Sequence, residues 1–154
     1  MATGTTEAGV SHVVLPDEAP PSAESLGAIL ASPPSDVELL RIAAAAASAL
    51  GRLHGSGFLH RDVNPSTIWV DGPSGRVGLV RSAFLSPLPG RDDVVAPPRL
   101  IVGSLAYIAP EQTGRTNRAV DARADLYSLG VALYEALTGG LPFDASDPVD
   151  WVHC

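Results

Sequence analysis

The feature that most constrains the fold of this chain is a strong helix signal that begins at Ser35. Ser35 and Glu38 have the spacing of a capping box, which satisfies backbone N–H groups at the start of a helix. Small and aliphatic residues then recur at helical spacing, at Leu39, Ile42, Ala46, Ala49 and Leu53. Gly55 and Gly57 end the pattern. Because this stripe must be buried against another layer, and 154 residues can bury one ordinary core, we expect one packed domain.

A β-hairpin and a second helix are predicted further along the chain. Two β-branched runs, 67–70 and 76–80, flank the turn residues 71–75, which is typical of a hairpin. Residues 82–102 hold prolines and show no period, so they are predicted to form a long loop, as are residues 58–62. The second helix begins near Asp121, and its apolar face is predicted to consist of Leu126, Leu129, Leu133 and Leu137.

The N-terminal part of the chain carries weaker signals. Residues 1–22 are predicted to be a disordered or poorly ordered segment, since residues 1–10 are small and polar. Within that segment Ser11–Leu15 could form an edge strand. Ser25–Ala31 predicts a short helix. We therefore expect the folded domain to comprise residues 23–154.

Composition and charge argue against several classes of function. A net charge of −7 leaves no clustered cations for a phosphate backbone, so we expect no nucleic-acid partner. The single cysteine, Cys154, allows no disulfide within the chain and no cysteine-based metal site. The first ten residues lack the features of a secretory signal, and the most apolar stretch, Ile42–Leu50, is too short to span a bilayer. We therefore expect no membrane association and a cytoplasmic location.

Three motifs follow one another in a specific order. They are His60–Asp62 with Pro65 and Ile68, then Gly103–Glu111, then Asp125–Gly130 through Leu137–Gly139 to Pro142 and Phe143. Together they resemble the C-terminal lobe of a bacterial serine/threonine protein kinase. The resemblance implies an α+β fold, a protein-kinase-like C-terminal lobe that is mainly helical with a small β-hairpin. The N-terminal lobe would be largely absent, and residues 23–154 would be a partial domain truncated before its last helices.

The resemblance also implies roles for individual residues. Asp62 aligns with the catalytic carboxylate that orients a substrate hydroxyl and accepts its proton. The alternative is a loop aspartate that caps local amides. His60 and Asp125 are similar to the family's scaffold pair, a buried ring under the loop and a carboxylate that holds the loop backbone. Arg61 would pair with a phosphate on the long loop or with a carboxylate, and we favour the carboxylate.

The departures from the family pattern fall on positions that handle phosphate and metal. Asn64 takes the place of the catalytic-loop lysine, and Thr67 that of a magnesium-binding asparagine. Arg81 replaces the main metal carboxylate with a cation, and Ser82 replaces a phenylalanine. ATP and Mg²⁺ are the cofactors that the resemblance implies, with Thr67 and Arg81 at degenerate cofactor positions. These substitutions argue against cofactor binding by this chain.

Other residues leave alternatives open or lack a predicted role. Trp69 lies where the family has a smaller aliphatic residue under the adenine, so its indole either fills part of the nucleotide pocket or packs in the core. All ten basic residues are arginine, so the lysine that would grip the phosphates is missing, as is a glycine-rich phosphate loop. His12, His54 and His153 have no metal-ligand spacing and are interpreted as incidental. No metal ligand is predicted.

The segments Gln112–Asp121 and Asp147–Cys154 resemble the kinase-like head of large bacterial signalling proteins that also contain an ATPase module and a sensor histidine kinase. The family activity is ATP-dependent phosphorylation of protein serine or threonine. For this chain alone we predict a degenerate or truncated pseudokinase without activity; if it is active, it is a protein serine/threonine kinase. The alternatives are a non-catalytic module that binds a protein partner, and a remnant gene fragment.

Overall fold

The fold is seen in a computed structural model, which describes residues 2–5, 11–14, 16, 18–32, 34–89, 100–116, 118–143, 145 and 147. Its α-helices are α1 Leu26–Ile29, α2 Asp36–Gly55 and α3 Ala122–Thr138. Two short 3-10 helices, Leu105–Tyr107 and Pro110–Thr113, lie in the segment before α3. No helix in these described ranges is long and apolar enough to cross a membrane.

The helix α2 confirms the strongest sequence signal. The Ser35 hydroxyl accepts a hydrogen bond from the Glu38 N–H at 3.3 Å, as the capping pattern predicts. The whole predicted stripe is buried, together with Leu50. Gly57, just after the helix, has a φ of +86°, a conformation that glycine adopts without steric cost. Local sequence alone is therefore sufficient to place this helix.

The predicted hairpin is also present, as strands β5 Ile68–Asp71 and β6 Arg76–Leu79 in antiparallel register. A third strand, β3 Ala23–Ser25, pairs with the other edge of β5 and was not predicted from the sequence. Its three residues are too few, and too poor in β-branched side chains, to give a strand pattern. All four residues of β5 are buried, which makes it the central strand of this small sheet.

The structure differs from the sequence expectation at two other strand pairs. Residues 2–5, expected to be disordered, form β1 Ala2–Thr5. This strand pairs with β2 Ser11–Val14, which agrees with the edge strand predicted at Ser11–Leu15. Residues 1, 6–10, 15 and 17 of the expected disordered segment lie outside the described residues. The loop predictions at 58–62 and 82–102 were wrong where β4 Phe58–Leu59 pairs with β7 Ser86–Pro87. Two-residue strands leave no periodic signal, because their pairing is decided by tertiary contacts. Residues 90–99 are not described.

Helix α3 has the predicted bounds but buries a different face. The Asp121 carboxylate caps its first turn by accepting the Arg123 N–H at 2.9 Å, and Gly139 ends it with a φ of +75°. Leu129 is buried, but Leu126 and Leu137 are 50% and 61% exposed, so the predicted apolar face was wrong at these residues. The buried face is made instead of small and polar residues, namely Ala124, Asp125, Ser128, Val131, Ala132 and Ala136. Small side chains let α3 lie close to α2, which a pattern of large leucines does not reveal.

The main hydrophobic core lies between α2, the hairpin and α3. It contains buried residues of each element, among them Ile42, Leu53, Ile68, Leu79 and Leu129. A smaller cluster of Leu59, Ala109, Val120 and Ala124 lies beside the loop that follows β4. The two clusters together fix the position of that loop relative to α3.

Gly78 provides a test of packing in the hairpin. A Cβ atom at Gly78 would lie 2.4 Å from Cζ2 of Trp69, whereas no atom lies within 4 Å of a Cβ at Gly72. We expect Gly78→Ala to lower the free energy of unfolding by about 1–3 kcal/mol, because the indole must move. The matched variant Gly72→Ala should change it by less than about 0.5 kcal/mol. Urea unfolding followed by tryptophan fluorescence measures both; equal effects would contradict the described packing.

Candidate functional site

The Asp125 carboxylate, at the start of α3, holds the backbone of the loop that follows β4. Asp125 is 1% exposed. Its Oδ2 accepts the His60 N–H at 2.8 Å and its Oδ1 accepts the Arg61 N–H at 2.7 Å. The fully buried His60 ring lies beneath the loop, where Nε2–H donates to the Val80 carbonyl at 2.8 Å. The geometry agrees with the scaffold pair that the family resemblance implied.

A third donor to Asp125 is His54, in the last turn of α2. Its Nε2 lies 2.8 Å from Oδ2 of Asp125, and its side chain is only 13% exposed. The interpretation of His54 as incidental was therefore wrong. Metal-ligand spacing was the only role considered for it, yet its position next to Leu53 on the buried side of α2 was a usable signal. His54 connects α2 directly to the carboxylate that organises the loop.

Arg61 adopts a strained backbone and leads into the segment before α3. Its φ is +65°, which is uncommon for a residue with a side chain. Its carbonyl accepts a hydrogen bond from Nε2 of Gln112 at 3.3 Å, and Gln112 is 1% exposed. Gly103 lies so close that a Cβ there would be 2.7 Å from the same carbonyl oxygen. The sequence analysis gave Gln112 no role; its polarity directly after Ala-Pro-Glu was the only signal available.

The guanidinium of Arg61 has neither of its two expected partners within the described residues. Its Nε is buried and makes no hydrogen bond there. No salt bridge to a carboxylate is formed by Arg61 in the same part of the chain. Both the phosphate and the carboxylate interpretation of this side chain therefore remain predictions.

Asp62 is half-buried, and one of its carboxylate oxygens already has two donors. Oδ1 accepts the Ser104 N–H at 2.8 Å and the Asn64 side-chain amide at 3.1 Å. Asn64 is 5% exposed and also donates to the Asp62 carbonyl at 3.2 Å. The Ser66 N–H in turn donates to Oδ1 of Asn64 at 2.9 Å. Asn64, at the lysine position, thus ties the loop together instead of presenting a positive charge.

Thr67 directs its hydroxyl into the same loop. Its Oγ1 accepts the Asn64 N–H at 3.0 Å and lies 3.0 Å from the carbonyl oxygens of Asp62 and Asn64, to which it donates. The one hydroxyl proton and an oxygen lone pair are therefore used within the loop. The Thr67 hydroxyl is therefore held by the loop backbone.

Arg81 and Ser82 follow β6 at the other degenerate positions. Arg81 is exposed, and its backbone N–H donates to the Pro16 carbonyl at 2.7 Å. Ser82 is 6% exposed and its hydroxyl accepts the Phe84 N–H at 3.0 Å, which forms a local turn. An exposed arginine therefore follows β6 at the position for which the family resemblance predicts a metal-binding carboxylate.

These residues do not fit a magnesium ion. Magnesium requires several oxygen ligands in near-octahedral geometry. Of the predicted positions only Asp62 is a carboxylate, Thr67 is turned inward, and Arg81 is a cation. Across the described residues no group of three or more His, Cys, Asp or Glu side chains could hold a metal. The space beside Asp62 and Ser104 has no room for a molecule even as small as water, whereas a typical ligand pocket measures roughly 300 Å³ or more.

Trp69 packs within the hairpin. The residue is 4% exposed and its ring lies directly over Gly78, its cross-strand neighbour. The indole N–H is buried without a hydrogen-bond partner in the described structure. Core packing therefore accounts for its position, and its role in a nucleotide pocket remains a prediction.

Two further side-chain contacts involve α3. The Tyr107 hydroxyl donates to Oε2 of Glu135 at 2.6 Å; burial and this hydrogen bond raise the pKa of Tyr107. Asp121 receives side-chain hydrogen bonds from Arg123, which lower the pKa of the Asp121 carboxyl. The Tyr107–Glu135 contact holds α3 against the segment that carries Ser104, whereas the Asp121–Arg123 contact stabilises the first turn of α3 itself.

The family assignment follows from comparison with known proteins. The protein kinase domain family matches residues 24–152. The chain belongs to the protein kinase family. It is 34% identical over 110 residues, 71% of its length, to serine/threonine-protein kinase PknB of Mycobacterium tuberculosis. It is 34% identical over 116 residues, 75% of its length, to PksC of Streptomyces coelicolor, and 39% identical over 104 residues, 67% of its length, to the probable kinase CPE1738 of Clostridium perfringens.

The chain spans only a small part of these relatives. The matched region covers 17% of PknB, 20% of PksC and 14% of CPE1738. The relatives are named as bacterial serine/threonine kinases, so the chain is a member of that family. The match includes every loop and helix that surrounds Asp125.

Asp125→Asn tests how strongly the carboxylate holds the loop. An amide keeps one acceptor oxygen but turns an N–H₂ group toward a backbone or imidazole donor. We expect the free energy of unfolding to fall by about 3 kcal/mol, because a buried partner of several donors is lost. Asp36→Asn, an exposed aspartate in the first turn of α2, is the matched control and should cost about 0.5 kcal/mol. Similar losses in chemical denaturation of both variants would contradict the role of Asp125.

Proposed function

We propose that this chain is a pseudokinase domain that transfers no phosphate by itself and acts by binding a protein partner. The proposal rests on one combined observation: Arg81 is exposed, and the Thr67 hydroxyl is turned inward to hydrogen-bond the loop backbone. Together they occupy the positions at which a protein kinase holds its metal ions. The proposal concerns the residues of this chain and leaves open what a longer protein would do.

The chemistry of phosphoryl transfer supports this proposal. Transfer depends on positioning and on neutralising the charge of the phosphates, which kinases achieve with metal ions and a lysine. Two like charges a few ångströms apart repel each other by several kcal/mol where water is scarce, so a guanidinium at position 81 disfavours a metal ion. Asn64 is neutral and its amide is committed to the loop. Position 64 therefore brings no positive charge to the phosphates, and the charge at position 81 has the sign that repels a metal ion.

The loop nevertheless keeps its form, which supports a binding role over a remnant gene fragment. Asp125 and Asn64 are buried, and each makes several hydrogen bonds to the loop; the buried His60 ring makes one, to the Val80 carbonyl. Buried polar groups tolerate little disorder, because each unsatisfied group costs about 1–3 kcal/mol. A remnant under no selection would be expected to lose such a set early. A role in bacterial signalling is in keeping with the serine/threonine kinases that the chain resembles.

The alternative function is ATP-dependent phosphorylation of protein serine or threonine, in keeping with the names of the relatives. The retained Asp62 favours it, since one carboxylate oxygen has no hydrogen bond described above and the side chain is half-buried. Under this alternative Asp62 would accept the substrate hydroxyl proton.

Phosphate transfer by the purified full chain separates the two functions. With radiolabelled ATP, Mg²⁺ or Mn²⁺ and casein as acceptor, we expect no incorporation above that of Asp62→Ala. Glu24→Ala, on the exposed edge strand β3, is the control for a carboxylate lost elsewhere. Incorporation by the wild type and the control that disappears in Asp62→Ala would overturn the proposal in favour of the kinase. A cooperative thermal transition with near-ultraviolet dichroism supports the binding module, whereas a molten chain supports the remnant.

A further inference from the structure

A groove lies between α2 and the β5–β6 hairpin, on a part of the domain that shares no residue with the loop around Asp62. We call it the α2–hairpin groove. Its volume is about 400 Å³, within the range of roughly 300–1,000 Å³ found for ligand sites. The residues that determine its chemistry are Glu38, Arg41, Ala44, Ala45, Val70 and Val77.

The walls of the groove suit an aliphatic side chain. Val70 and Val77 are cross-strand neighbours on the hairpin, so they present one continuous apolar wall. Ala44 and Ala45 form the facing wall on α2, and their short side chains leave the space between helix and hairpin open. An apolar group that enters this space would be removed from water on two sides.

The rim of the groove carries two opposite charges one helical turn apart. Glu38 and Arg41 are exposed and both line the groove. Neither side chain makes a hydrogen bond or ion pair with any other described residue. The Arg41 guanidinium offers a planar fork that matches a carboxylate, and Glu38 offers acceptors for an ammonium or guanidinium. A matching ligand must therefore place a positive charge next to Glu38 and a negative charge next to Arg41.

An extended peptide meets all of these requirements at once. Side chains at positions i and i+2 of a strand lie on one face, about 7 Å apart, close to the separation of roughly 5–6 Å between residues one helical turn apart. A basic and an acidic residue at these positions can reach Glu38 and Arg41. The residue between them then points toward the opposite wall, where Val70 and Val77 lie. A single aliphatic residue fits there.

We propose that the α2–hairpin groove binds a segment of a protein partner in which a basic, an aliphatic and an acidic residue follow one another. The inference deepens the proposed binding role by naming the chemistry of the partner. The groove proposal rests on the proposed binding role only for the biological purpose of the peptide binding. Its test measures peptide binding at a site that phosphate transfer does not involve, so each proposal can fail without the other.

Binding is measured by fluorescence polarisation with the full chain and a fluorescein-labelled peptide, Gly-Lys-Val-Glu-Gly. We expect saturable binding with a Kd below about 1 mM, which corresponds to about 4 kcal/mol. The same peptide with glycine in place of valine should bind at least tenfold more weakly, and so should the peptide with lysine and glutamate exchanged. Absence of saturable binding, or equal binding of all three peptides, would overturn the proposal.

Two protein variants assign the binding to the groove. Ala44→Phe fills the space without a change in charge and should weaken binding at least tenfold, whereas Ala47→Phe, on the exposed side of the same helix, should not. The double variant Glu38→Arg with Arg41→Glu keeps the net charge and reverses the rim. This double variant should bind the peptide with lysine and glutamate exchanged about tenfold more tightly than the original peptide. The preference tests the assignment to the groove even if Ala44→Phe fails to fold. Unchanged affinity in both variants would contradict the assignment.

Discussion

The rest of the structure depends on one buried carboxylate and the three donors that surround it. Asp125 is 1% exposed and receives the backbone N–H groups of His60 and Arg61 together with the His54 side chain. A charge at this depth is tolerated only when it is fully hydrogen-bonded, because its desolvation costs several kcal/mol. The loop N–H groups therefore supply the hydrogen bonds that the buried carboxylate requires, and the same hydrogen bonds fix the loop between α2 and α3.

The shape of the loop is held by hydrogen bonds within the loop and to α3, and these bonds do not depend on the residues that bind phosphate or metal in the kinase family. Asn64 and Thr67 turn their polar groups inward and hold the loop from within, where an active kinase would direct groups toward phosphate and metal. Gln112 and Gly103 brace the Arg61 carbonyl from the other side. The loop therefore keeps its form with Asn64 and Thr67 at the positions for which the family resemblance predicts a lysine and a metal-binding asparagine.

Sequence reasoning succeeded where structure is determined locally. Helix α2 and the β5–β6 hairpin follow from caps, periodicity and turn residues, whereas the His60–Asp125 pair was implied by the resemblance to protein kinases. It failed where distant segments decide the outcome. The pairing of β4 with β7 has no local signal, and the partners of His54 and Gln112 lie far away in the sequence. Small residues rather than leucines face the core on α3. The inward turn of Thr67 likewise required coordinates.

Native-state hydrogen exchange, followed by NMR at the backbone amides of His60 and Arg61, tests most directly whether Asp125 holds this loop. Both amides donate to a carboxylate that is itself buried, so they can exchange only when α3 separates from the loop. We predict that their opening free energies lie close to that of global unfolding. Exchange at the rate of an unprotected amide, in conditions where the core amides of α2 stay protected, would contradict this view of the fold.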